Sequence, residues 1–187
     1  MATKKLIEDK YIDPVFAKMG KRVYTYEFVE KLRQENLQLK KDGKPIFNLI
    51  PQKGFQEKVL LTQADIKIIG GKRGAGKSFV ALFEALPYIF NPDVNMYGFR
   101  KYEDDVKRGI WKACKPVYRG FGLLSDSYFE VKFLDGKGAT MKMEHLAEEK
   151  KVSDRFRGVE MAYILIEELA EHTKENLDTL FALLASN

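Results

Sequence analysis

The chain has 187 residues and a mass of 21.6 kDa, which is enough for roughly one domain with a short appendage. Hydrophobic residues make up 45% and charged residues 32%, a balance that excludes wholesale disorder. The net charge of +5 permits an anionic partner without requiring one. Because the sequence contains neither an apolar run long enough for a membrane span nor a signal peptide, we expect a cytosolic protein without a membrane partner.

Cysteine and histidine are too scarce to form several kinds of site. Cys114 is the single cysteine, which excludes an internal disulfide and a cysteine-rich zinc module. We interpret Cys114 as a core side chain, with a reactive thiol as the alternative. His145 and His172 are the only histidines and lie at no ligand spacing, so we do not expect a histidine-built metal site.

The predicted elements begin with a helix over residues 26–40 that ends near Gly43, inside an N-terminal helical appendage of residues 1–50. Residues 51–187 then form the predicted core. Its strands are predicted at 66–69, 94–99 and 163–166, its helices at 78–86, 103–117 and 177–184, and a hairpin at 129–144 around the turn 135–138. This alternation predicts an α/β fold with a mostly parallel central sheet flanked by helices.

A complete phosphate-loop motif follows the first predicted strand. The segment 71–78 fits G-x-x-x-x-G-K-[ST] and leads into a predicted helix, which is the context that the motif requires. Its glycines would let successive backbone N–H groups point at phosphates. Lys77 would reach the β- and γ-phosphates, and the Ser78 hydroxyl would coordinate Mg²⁺. The alternative is a chance glycine turn before a helix.

Two carboxylates follow the buried strand predicted at 163–166. Glu167 and Glu168 would then lie at the carboxyl end of a parallel strand, where open α/β sheets bind ligands. In a nucleotide hydrolase, Glu167 would hold the metal ion and Glu168 would orient or deprotonate the attacking water. Taken alone, such a pair is equally compatible with a solvated strand end.

From about residue 51 onward, the sequence resembles the large terminase subunits, the ATPase motors that package double-stranded DNA into viral capsids. The resemblance rests on an upstream glutamine, an arginine-bearing phosphate loop, three further landmarks and the Glu-Glu pair. The quoted segments are 51–56, 70–78, 99–101, 138–146, 155–158 and 167–168. The fold that it implies is a P-loop NTPase three-layer sandwich.

The resemblance also implies roles for single residues. Gln56 would contact adenine, with Gln52 as the second choice, because a carboxamide can both donate to and accept from the adenine edge. The loop residues Gly71, Arg73, Gly74, Ala75, Gly76, Lys77 and Ser78 would bind the nucleotide. Arg73 would also act in catalysis as a cis arginine on the γ-phosphate. Arg157 would be a trans arginine finger, with a solvated loop arginine as the alternative.

By the same resemblance, the cofactors are ATP and Mg²⁺, and the partners are double-stranded DNA, a portal protein and a small terminase subunit. The assembled form would be a ring-shaped homo-oligomer in the host cytoplasm, transiently at the portal vertex of the procapsid. Since the family continues past the acidic pair to a coupling segment, a lid and a nuclease domain, we expect residues 1–187 to be a fragment, mainly monomeric and weakly active.

A basic stretch between residues 100 and 119 carries seven lysines and arginines against three acidic residues. We interpret it as a solvated helix face, with a surface that tracks a DNA backbone as the alternative. Trp111, within the stretch, is interpreted as a core residue instead of a base-stacking platform, because duplex DNA offers no free bases.

Three other functional classes remain open. A helicase-like or recombinase-like motor would be stimulated by single-stranded DNA. A small-molecule phosphotransferase would need an arginine-rich lid after its acidic motif and a second substrate site. A non-catalytic module would bind nucleotide without turnover. The ATPase rate with and without duplex DNA discriminates among them.

Overall fold

The computed structural model describes residues 26–44, 51–62, 64–72, 74–119, 121–146, 152 and 154–185. The chain divides into two compact units, one up to Pro87 and one from Tyr88 onward. Each unit is described below by itself. The boundary predicted from the sequence, which separates the appendage of residues 1–50 from the core of residues 51–187, stays a prediction.

The first unit is helical in its described part. Its helices are α1 (Tyr26–Lys41), α2 (Phe55–Leu61) and α3 (Lys77–Glu84), followed by a 3₁₀ turn at Leu86–Tyr88. The predicted helices at 26–40 and 78–86 are confirmed within a few residues, whereas α2 was not predicted. A capping interaction begins α2, since the Glu57 side chain accepts the backbone N–H of Gly54.

The prediction of a strand at 66–69 is wrong, because residues 64–72 have no regular secondary structure. Lys67 points inward, where its Nζ donates to the backbone oxygen of Val59 (2.7 Å) and to the buried carboxylate of Glu84. Side chains alternate in direction along an extended segment. Ile66 and Ile68 therefore face outward and are 59% and 81% exposed, the reverse of what an apolar run predicts.

The second unit is built on a five-stranded mixed sheet. Its strands are β1 (Asn95–Arg100), β2 (Gly122–Ser125), β3 (Glu130–Phe133), β4 (Thr140–His145) and β5 (Tyr163–Ile166), in the order β2-β3-β4-β1-β5. The pairs β1–β4 and β1–β5 are parallel, whereas β2–β3 and β3–β4 are antiparallel. The predicted strands at 94–99 and 163–166 and the hairpin are confirmed.

Helices flank this sheet. A continuous helical segment runs through α4 (Glu103–Asp105), a π-helical turn (Val106–Ile110) and α5 (Trp111–Tyr118). After β5 come a 3₁₀ turn (Leu169–Glu171) and α6 (Lys174–Ala185). The predicted helices at 103–117 and 177–184 are thus confirmed. Among the described residues, no helix has both the length and the apolar composition needed to cross a membrane.

An aromatic core holds the centre of this sheet in place. Tyr97 and Phe99 of β1 stack at 5.8 Å, and Phe156 meets both rings edge-on. Met161 and Leu180 belong to the same buried cluster. Since aromatic pairs in this geometry add to the gain from area burial, the cluster fixes the carboxyl ends of β1 and β5 relative to each other.

The expectation of a mostly parallel sheet needs correction. The fold is α/β with helices around a mixed sheet, because the hairpin β3–β4 and the added strand β2 make half of the strand pairings antiparallel. A hairpin enters a sheet antiparallel by construction, since a tight turn reverses the chain. The sequence pattern showed the hairpin but not its effect on the sheet.

Candidate functional site

The phosphate loop occupies the stretch before α3 and depends on left-handed backbone. Gly71, Gly74 and Gly76 have φ values of 135°, 83° and 73°. Positive φ is costly for residues with a Cβ but accessible to glycine. Gly76 is the residue preceding α3, and the first N–H groups of a helix have no partner within the helix. The motif thus places backbone donors at a helix N-terminus, where anions are stabilised.

Lys77 lies folded over its own loop. Its Nζ donates to the backbone oxygens of Gly71 (2.9 Å) and Lys72 (3.1 Å). An ammonium group has three donors and carries a full positive charge, so phosphate oxygens are natural replacements for these two carbonyls. Ser78 is the second residue of α3 and is half-buried.

Gln56 of α2 is buried, with 4% of its surface exposed. Its Nε2 donates to the backbone oxygen of Gly76 at 3.4 Å, and its Oε1 accepts the backbone N–H of Gln52 at 2.8 Å. The structure therefore brings Gln56 to the phosphate loop, a contact that the sequence did not indicate. The adenine contact stays a prediction. Ala75 belongs to the described loop, whereas Arg73 lies outside the described residues.

The acidic pair lies directly after β5, as predicted. Glu167 donates its backbone N–H to Phe99 of β1 at 3.0 Å, which extends the strand pairing by one residue. Its side chain is 10% exposed, whereas that of Glu168 is 60% exposed. Glu168 adopts φ 53° and ψ 52°, a left-handed conformation that is unusual for a residue other than glycine. One carboxylate is thus held inside, and the other projects into solvent from strained backbone.

Arg100 is the functional neighbour that the sequence did not single out for this role. Its Nε donates to Glu167 Oε2 at 2.9 Å, and its guanidinium lies 3.9 Å from Glu168 Oε1. A Cβ on Gly109 of the π-helical turn would lie 3.1 Å from this guanidinium, so the glycine leaves room for it. The signal was available, because β1 and β5 are parallel neighbours and their carboxyl ends meet at one edge.

His172 packs behind the pair. Its Nε2 lies 3.2 Å from the backbone oxygen of Glu167, and burial holds the pKa of the imidazole below its usual value. A neutral ring is therefore favoured near neutral pH. The neutral His172 ring can therefore contact the Glu167 backbone without placing a second positive charge near Arg100.

The other predicted residues of the second unit lie in varied surroundings. Cys114 is fully buried, and burial raises the pKa of its thiol to about 12, which confirms the core interpretation. Trp111 is also buried and donates its Nε1–H to Asp126 at 2.7 Å. Arg157 is exposed, next to Gly158 at φ 75°, and its trans role stays a prediction.

The basic stretch does not act as one surface. Arg100 belongs to the acidic strand end, and Lys115 pairs with Asp126 and lies over the Trp111 ring. The exposed cations of the helical segment are Lys107, Arg108, Lys112 and Arg119. Their contact with DNA stays a prediction.

Magnesium is compatible with the donors that the sequence analysis assigned to it. Within the described ranges, no group of three or more histidine, cysteine, aspartate or glutamate side chains is arranged to hold a metal ion. Nucleotide-bound Mg²⁺, however, needs only one or two protein oxygens beside phosphate and water. The Ser78 hydroxyl and the Glu167 carboxylate are oxygen donors of that kind.

A loop that offers backbone donors at a helix N-terminus, and carboxylates at the end of a parallel strand, are features of the α/β nucleotide-binding class. A family model described as terminase large subunit, T4likevirus-type, N-terminal, matches residues 68–182, more than half of the chain. The chain therefore belongs to the large terminase subunit family. A search of curated proteins and a search of solved structures each found no match. Membership points to a role in phage DNA packaging.

Proposed function

We propose that the chain is the ATPase domain of a DNA-packaging motor, which hydrolyses ATP to drive double-stranded DNA into a procapsid. The observation that carries this proposal is the backbone of the loop 71–78, with three glycines at positive φ and Lys77 at the start of α3. Membership in the terminase family supports it. We also propose that the α/β fold is the three-layer sandwich of P-loop NTPases.

The loop would bind the phosphates of ATP. Backbone N–H groups at the start of α3 would donate to phosphate oxygens, and the Lys77 ammonium would exchange the carbonyls of Gly71 and Lys72 for them. Ser78 and Glu167 would hold Mg²⁺, which neutralises phosphate charge when bound. Arg73 would stabilise the charge that develops on the γ-phosphate in the transition state.

Glu168 would act as the catalytic base. Its carboxylate is exposed, so it can accept a hydrogen bond from the attacking water. Glu167, in contrast, is fixed by Arg100 and suits a static ligand role. The two neighbouring carboxylates would thus differ in function because their surroundings differ.

The proposed partners are double-stranded DNA, a portal protein and a small terminase subunit, met in the host cytoplasm and at the procapsid. In a ring of subunits, Arg157 would act on the nucleotide of a neighbour. The exposed position of Arg157 supports this proposal, because a finger must reach out of its own subunit. An Arg157→Ala subunit mixed with a Glu168→Gln subunit should recover part of the activity; a mixture with no recovery contradicts the trans role.

Titration calorimetry and phosphate release test the proposed function. The wild-type chain should bind MgATP, and its phosphate release should rise with duplex DNA more than with single-stranded DNA. Stronger stimulation by single strands would favour a helicase-like motor, and transfer of phosphate to a small molecule would favour a phosphotransferase. Binding without turnover, even in assembled rings, would leave a non-catalytic module.

A further inference from the structure

We propose that Gln56 is a positioning residue for the phosphate loop, which fixes the direction of the peptide that joins Gly76 to Lys77. This inference rests on the proposed function only in that the ligand is a triphosphate. It gives Gln56 a role in binding phosphate, in place of the contact with adenine that the family resemblance implies.

The carboxamide of Gln56 has both of its ends engaged inside the first unit. Nε2 donates to the Gly76 oxygen, and Oε1 accepts from the Gln52 backbone. Because a buried amide left without hydrogen-bond partners is unfavourable, these contacts hold the side chain in one orientation. One N–H of Nε2 and one lone pair of Oε1 are thus used within the protein.

The contact at Gly76 acts on a donor to phosphate. The Gly76 oxygen also accepts the backbone N–H of Val80 at 3.1 Å, so two donors hold it from different sides. A trans peptide is planar, and its C=O and N–H groups point in opposite directions. Fixing the Gly76 oxygen therefore fixes the aim of the Lys77 N–H, one of the donors at the N-terminus of α3.

The fit between Gln56 and Gly76 is close. A Cβ placed on Gly76 would lie 2.2 Å from Nε2 of Gln56, well inside any permitted contact. Position 76 therefore excludes a side chain for two reasons, its left-handed φ of 73° and the glutamine that packs against it. Because the two residues are in such close contact, a shift of the Gln56 side chain would displace the Gly76 backbone.

Helix α1 braces the same segment from its other side. Arg33 donates from Nη1 to Glu57 Oε1 (2.7 Å) and from Nη2 to the backbone oxygen of Pro51 (2.9 Å). The hydrogen bond from Arg33 holds the pKa of Glu57 below its usual value. Glu57 in turn donates its backbone N–H to the oxygen of Gln52 at 3.3 Å. Part of the N-terminal appendage, whose role the sequence left open, thus supports the residues that orient Gln56.

Three ligands separate phosphate positioning from base reading. Calorimetry compares wild type and Gln56→Met for MgATP, MgGTP and magnesium tripolyphosphate, which carries no base. Methionine keeps the length of the side chain but cannot donate to the Gly76 oxygen. Because this hydrogen bond is long, its loss should weaken binding of all three ligands by the same modest factor, about two- to fivefold. Gln38→Met, the same change at an exposed position of α1, should weaken none of them.

A loss confined to MgATP would overturn the proposal in favour of an adenine contact, and unchanged affinity for all three ligands would overturn it outright. If circular dichroism shows that Gln56→Met is unfolded, Gln56→Asn, which keeps a carboxamide but is too short to reach both partners, is measured in the same way.

Amide NMR of the ligand-free chain keeps this inference separate from the proposed function. Gln56→Met should shift the Lys77 amide resonance, whereas Gln38→Met should not. If wild type binds no triphosphate, the proposed function fails, but a shifted Lys77 amide would still support the positioning role. An unshifted Lys77 amide would contradict that role whatever the ligands do.

Discussion

The phosphate loop and the acidic strand end take unusual backbone conformations by opposite means. In the loop, positive φ falls on Gly71, Gly74 and Gly76, residues for which it costs little. At the strand end it falls on Glu168, whose Cβ makes the same region unfavourable by about 1 to 3 kcal/mol. The loop backbone is therefore unstrained, because glycines occupy these positive-φ positions. At the strand end, in contrast, neighbouring residues must hold Glu168 in an unfavourable backbone conformation.

The two regions also obtain their charge differently. The loop offers backbone N–H groups and the ammonium of Lys77, which is hydrogen-bonded to two backbone oxygens. At the strand end, Arg100 bonds to a carboxylate that is largely buried, so that charge is fixed before any ligand arrives. Changes in the loop should therefore act on ligand binding, and changes at the strand end on turnover and stability.

The largest effect is expected from Lys77→Ala. Removing the Lys77 ammonium should leave MgATP binding undetectable by calorimetry, because the β- and γ-phosphates lose the charged partner proposed for them. Lys58→Ala, at an exposed position of α2, is the matched control and should bind like wild type. Equal binding by wild type and Lys77→Ala would show that the loop is only a glycine turn.

Glu168→Gln should separate binding from turnover. The change keeps the shape of the side chain but removes the base, so phosphate release should fall about a hundredfold while MgATP affinity stays within about twofold. Glu160→Gln, at an exposed position before β5, should change neither quantity. An unchanged rate for Glu168→Gln, under conditions in which the wild type turns over, would remove the catalytic role.

The contrast also shows what the sequence could predict. The loop and the acidic pair could be predicted because their residue types indicate the local structure. Glycines tolerate positive φ, and carboxylates that directly follow a buried strand lie at its carboxyl end. The strand predicted at 66–69 failed because Lys67 pairs with Glu84, a tertiary contact that reverses which side faces inward. Arg100 looked like one cation of a basic stretch, since its partner Glu167 lies 67 residues away.

Arg100→Met tests whether the strand end depends on its neighbours. Because the change leaves the largely buried Glu167 carboxylate without its charged donor, the free energy of unfolding should fall by about 2 kcal/mol. Urea unfolding followed by circular dichroism measures it. Arg108→Met, an exposed arginine of the same basic stretch, should change stability by less than about 0.5 kcal/mol. Equal effects of the two changes would mean that the Arg100 contact does not hold the pair.

The smallest effect is expected at Glu168 itself, and it concerns the strain. Glu168→Gly should raise the free energy of unfolding by about 1 kcal/mol, since glycine reaches φ 53° without the Cβ penalty and the gain is reduced by its freer unfolded chain. Glu168→Ala is the matched control, because it also lacks the carboxylate but keeps the Cβ; it should show no such gain.

If both variants are equally stabilised, the carboxylate is the unfavourable element, through repulsion from Glu167, and not the backbone. If glycine alone is stabilising, the Cβ of Glu168 strains the backbone at the residue proposed as the base. The loop would then bind phosphate with a backbone conformation that does not lower the free energy of unfolding. The strand end, in contrast, would present its carboxylate from a backbone conformation that does lower it.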